Sequence, residues 1–143
     1  MGQQQLLLLV LATVIVGLAT VAGIQAFDEN RNQAAADALN QKAAELAADV
    51  KGIYEKPEQL GGLPDDLGST DSTEINNKLG IQGGVSVPAA EGTCVVSGVS
   101  SGTGVVFECS GDGDSEYSDI SAYGVFNPAN DTEVRVESTD PTS

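Results

Sequence analysis

Histidine and tryptophan are missing altogether, and positive charge nearly so: six Lys and Arg stand against 21 Asp and Glu, a net charge of −15 over 143 residues. Without histidine there is no Ser-His-Asp triad, no Cys-His dyad and no His-ligated zinc. Two cysteines are too few for an all-cysteine zinc site within one chain. The shortage of Lys and Arg argues against nucleic acid, whose phosphates need clustered cations. Aromatic residues are 4% of the chain, so any core rests on small aliphatic side chains. Together these gaps argue against an enzyme and leave anchoring, assembly or partner binding as the classes to weigh.

What is present is unevenly placed. Residues 6–27, LLLLVLATVIVGLATVAGIQAF, hold no charge and only Thr13, Thr20 and Gln25 as polar residues. About 20 apolar residues span a bilayer as a helix. A cleaved signal peptide is the rival reading, but it calls for a basic n-region and a shorter apolar run, and Met1 to Gln5 contain no Lys or Arg. A retained membrane helix is the better expectation. Basic charge is too sparse to fix orientation firmly. The acids that follow from Asp28 onward favour a C-terminal part outside the membrane.

The helical pattern continues past the apolar run. Residues 28–56 contain no proline, one glycine and many alanines, the best helix former. Leu39, Ala43, Leu46, Val50 and Ile53 recur at helical spacing and form one apolar stripe, as expected of a stalk helix packing on its own head. Pro57 ends the pattern. The spacing predicts one helix over residues 3–56, apolar all round in its first half, amphipathic in its second, and loosened near Gly17 to Gly23. The pairs Thr13/Gly17, Ala19/Gly23 and Ala22/Ala26 place small residues four apart, which lets helices approach closely in an apolar medium.

Residues 58–143 carry fifteen acids and two bases, Lys78 and Arg135. This acidic segment reads as a water-exposed head, a composition compatible with high salt. Its start is loop-like apart from a short helical turn around 74–79. Strands are predicted at 93–97, 104–109, 120–126 and 132–136. If Ser101-Gly102 forms the turn, Cys94 opposes Cys109 and Val96 opposes Phe107. Cys94, Val96, Val105, Phe107 and Cys109 then share one face, and Val95, Ser97, Val106 and Glu108 the other. A Cys94–Cys109 disulfide follows, with Cα atoms about 4.4–6.8 Å apart. The fold class is thus α+β: one long N-terminal helix, then a small antiparallel β-rich head.

Two further features carry weaker chemistry. Asp112, Asp114 and Glu116 alternate in a Gly-containing loop and are the candidate ligands for a hard cation such as calcium, with Asp119 nearby; an acidic, solvated turn is the plainer reading. Asn130-Asp131-Thr132 fits the N-glycosylation triplet, and the Ser/Thr-rich tail at 137–143 could take O-glycans.

The whole arrangement resembles the type IV pilin-like filament subunits: a short leader, a long half-apolar helix and a small β-rich head stapled by a disulfide. The resemblance implies a leader of residues 1–2 cut between Gly2 and Gln3 by a prepilin peptidase, a filament-core half-helix at 3–27, an amphipathic half at 28–57 and a head at 58–143. The chain differs from the family in having Gln3 where a Phe is usual and Leu7 where a Glu is usual. The implied function is a structural subunit of an extracellular helical filament, with Thr13, Gly17, Ala19 and Gly23 at helix contacts. The implied partners are other copies of the chain, the membrane before assembly, the peptidase and an assembly machinery, with methylation of the new N-terminus. The alternative is a single-pass anchored protein whose acidic head binds a partner or ion.

Overall fold

A computed structural model describes residues 2–129 and 131–141, and the side chains of all of these except 131–133. The chain divides into two units, 1–33 and 34–143. The helix α1, Gly2–Tyr54, enters both. It runs without interruption through Gly17 and Gly23, so the expected loosening there is absent.

In the first unit α1 is bare. Its large apolar residues are open to solvent along the whole run, from Leu6 at 67% to Phe27 at 72% exposure. The sequence pattern places the change of character at residue 28, but 28–33, DENRNQ, is polar on every side and equally exposed. The first buried residue is Ala35, at the start of the second unit.

In the second unit the predicted stripe is buried. Leu39, Ala43, Leu46 and Val50 are enclosed, Ile53 is partly enclosed, and Ala35 and Ala47 widen the face. Alanine on this face lets the helix axis sit close to the sheet, and helix stability here comes from packing rather than propensity alone. After a short 3-10 turn at Glu58–Leu60 and another at Leu67–Ser69 comes α2, Ser72–Leu79, closed by Gly80. It starts two residues earlier than predicted, because the Asp71-Ser72-Thr73 run begins it. The Ser72 and Thr73 hydroxyls donate to the Asp71 carboxylate and hold its pKa below the ordinary carboxylate value, the Thr73 bond contributing most.

Five strands follow: β1 Val85–Val87, β2 Gly92–Ser100, β3 Gly104–Gly111, β4 Ser121–Asn127 and β5 Asp131–Glu137. They form one antiparallel meander in chain order. The inner face contributes Cys94, Val105, Phe107, Cys109, Ala122 and Phe126 to the same core as the α1 stripe. Tyr54, at the end of α1, meets Phe126 with ring centroids 5.5 Å apart.

The β2–β3 register matches the prediction at Cys94↔Cys109 and Val96↔Phe107, but two local features the pattern does not show combine to produce it. The turn has three residues, 101–103, one more than expected, and a bulge at Ser97 absorbs the extra residue. Thr103 N–H donates to Ser100 Oγ at 3.0 Å, and Asn127 Nδ2 donates to Gly102 O at 2.7 Å, tying the turn to the end of β4. Gly104 leaves the turn with φ of 77°, a backbone conformation that favours glycine. Val106 lies on the face opposite Phe107, as predicted, and is fully buried there. It stands opposite Val125, also buried, and strand alternation puts this apolar pair on the side away from Phe107.

Candidate functional site

Segment 6–27 is the feature with the most chemistry to explain. An apolar helix exposed on all sides needs a covering, since each Å² of apolar area left in water costs about 25 cal/mol. Its two hydroxyls are already satisfied within the helix. Thr13 Oγ1 donates to Val10 O and Thr20 Oγ1 donates to Val16 O, both at 2.8 Å. Such back-bonding hides the polarity of the side chains and suits a segment placed in an apolar medium. Just beyond, Asn30 Nδ2 donates to Ala26 O.

The small residues of this segment lie on two faces. At about 3.6 residues per turn Thr13, Gly17 and Thr20 share one stripe, while Ala19, Ala22, Gly23 and Ala26 share another, roughly 140° round the helix. By the same angle Ala12 joins the second stripe, two turns before Ala19. A search for small residues four apart passes over Ala12, because the residue four places on is Val16. A Cβ added at Gly17 or Gly23 would meet open space for at least 4 Å. Both stripes are therefore free for neighbouring helices.

The disulfide joins Cys94 and Cys109 as predicted. Their Cα atoms are 3.9 Å apart, closer than the expected range, and the two residues sit directly opposite each other on adjacent strands. Both cysteines are fully buried in the core that the sheet shares with the α1 stripe. The apolar run suits a membrane anchor or a signal-like segment, and the disulfide suits an oxidising compartment outside the cytoplasm.

The acidic loop is not gathered into a ligand set. Asp112, Asp114, Glu116 and Asp119 are all exposed, and among the described residues no group of three His, Cys, Asp or Glu is close enough to hold a metal ion. The turn is closed by its own groups: Ser115 Oγ and N–H both donate to Asp112 O, and Tyr117 N–H donates to Ser115 Oγ. Buried Tyr117 anchors the loop from below. The geometry is that of a solvated turn, and the calcium ligands expected at Asp112, Asp114 and Glu116 are not brought together. Asn130, the glycosylation candidate, lies outside the described residues.

The head keeps its few cations for itself. Lys78 Nζ lies 3.6 Å from Glu74 and donates to the carbonyls of Gly61 and Gly62, and Arg135 Nε lies 2.7 Å from Glu137. A recess of about 80 Å³ beside Tyr54, Asp65 and Ser101 has room for a few waters at most. No family model, curated protein or solved structure matches this chain.

Proposed function

We propose that this chain is a structural, non-catalytic subunit of an extracellular helical filament of the type IV pilus kind, polymerising through residues 6–27. The observation that carries this reading is a helix that is apolar and bare over its first half and packed onto a disulfide-stapled acidic head over its second. Two small-residue stripes on one helix support it further. One stripe would serve a single partner, whereas two facing different ways let each copy take a neighbour on either side, and repeated head-to-tail contacts that do not close give a helical polymer. In this reading the precursor sits in the cytoplasmic membrane, a prepilin-type peptidase cuts between Gly2 and Gln3, and an assembly machinery transfers the helix from lipid to other copies.

The second reading is a single-pass anchor with lipid as its permanent covering, and the length of the apolar run favours it equally. Electron microscopy of cells expressing the full chain, with mass spectrometry of the surface fraction, separates the two. Filaments composed of this chain, beginning at Gln3, support the proposal. A chain that stays in the membrane fraction and is monomeric in detergent supports the anchor.

A further inference from the structure

Even if every Lys and Arg of this chain paired with a carboxylate, fifteen acids would be left over. The two bases of the head are already engaged inside it, Lys78 with Glu74 and Arg135 with Glu137. A neighbouring copy brings the same surplus, so no arrangement of identical copies supplies the missing positive charge. Resting on the filament reading above, we infer that cations from the medium are an obligatory component of the polymer and that ionic strength switches assembly on and off.

Two forces of different range compete. Burial of residues 6–27 between copies is short-ranged attraction. Repulsion between acidic heads reaches about 30 Å at 0.01 M salt but only about 3 Å at 1 M. Head charges of neighbouring copies that lie within about 30 Å of one another therefore repel at the lower salt and are largely screened at the higher. Modest pH changes cannot relieve the repulsion, because without histidine no side chain has an ordinary pKa between about pH 5 and 8. Divalent cations, which screen more strongly at equal concentration, are expected to promote assembly at lower concentration than sodium.

The test uses the full chain, moved from detergent into detergent-free buffer across sodium chloride from about 0.01 to 1 M. Polymer is measured by sedimentation and electron microscopy, and the fold of the head by circular dichroism. A second protein carries Asp112→Asn, Asp114→Asn, Glu116→Gln and Asp119→Asn, four exposed positions outside the core. The expected result is a rise in polymer of roughly tenfold or more over this range, with the midpoint for the four-fold variant lowered by about twofold or more. Equal polymer at the lowest and highest salt would overturn the inference. So would an unchanged midpoint in the variant, which would mark ordinary salting-out of the apolar helix, or loss of head structure in step with loss of polymer, which would place the salt effect on folding. No polymer at any salt from a folded head would also overturn the inference, and filaments of the chain on expressing cells would then leave the filament reading standing apart from it.

Discussion

Gly124 of β4 lies directly against the backbone of Ala43 in α1: a methyl group at Gly124 would stand 2.7 Å from the Ala43 carbonyl carbon and nearer still to its oxygen. The helix and the sheet therefore meet backbone to backbone at this point. Replacing Gly124 by Val should push α1 off the sheet and lower the stability of the head by about 1–3 kcal/mol or more. Thermal unfolding followed at the tyrosine signals would show it, and an unchanged midpoint would mean the helix is held less closely than described.

Thr70 makes the opposite case. Its hydroxyl is buried without a hydrogen-bond partner among the described residues. Thr70→Val keeps the shape and removes the unpaired group, so stability should rise by about 1 kcal/mol. Chemical denaturation of both proteins is the measurement, and a loss of stability would reveal a partner for the hydroxyl.

Cys94→Ser with Cys109→Ser should cost about 3 kcal/mol, the value expected for a closed loop of 15 residues. Reductant should destabilise the parent protein and leave the double variant untouched. Two free thiols in protein isolated from its native setting would contradict both the bond and the oxidising compartment.

Gly17→Leu and Gly23→Leu address the helix. A side chain added at either position enters open space, so the head should unfold at the same temperature in both variants. Filament yield should fall in each, because leucine holds a facing helix farther away. Equal yields would show that the small-residue stripes are not contact surfaces.

Asp71 supplies a pH test. Its carboxyl is held below the ordinary value by the Thr73 and Ser72 hydroxyls, so its contribution to stability is present above the unfolded-state pKa and is lost as pH falls through the folded-state value. Asp71→Ala should therefore be less stable than the parent protein at neutral pH, and the gap should close in acid. A gap that is constant with pH would assign the loss to something other than the carboxylate.

The α1 stripe at Leu39, Ala43, Leu46 and Val50 is legible in the sequence because helical periodicity is a local signal repeated over several turns. The cysteine register is legible because two constraints, the disulfide and the apolar alternation, agree. The bulge at Ser97 and the third turn residue are not, since each is invisible when the other compensates for it. β1 escapes sequence reading because Val85-Ser86-Val87 is only three residues long and lies between glycines and Pro88. The burial of Val106 depends on Val125, contributed by another strand. For the acidic loop, alternation of carboxylates is legible but convergence is not, because convergence depends on how the Ser115 turn closes.

The meander has a consequence for the order of events in folding. Each strand pairs with the one before it, so the sheet can grow by successive hairpins with short loop closures. Contact between Ala43 and Gly124 instead spans most of the head and carries a far larger closure cost. A chain emerging N-terminus first can cover part of its amphipathic stripe with earlier core residues such as Leu67, Cys94 and Phe107, but the contact at Ala43 waits until β4 exists. While that interval lasts, the part of the stripe that faces Gly124 has nothing to pack on, whatever covers the first half of the helix.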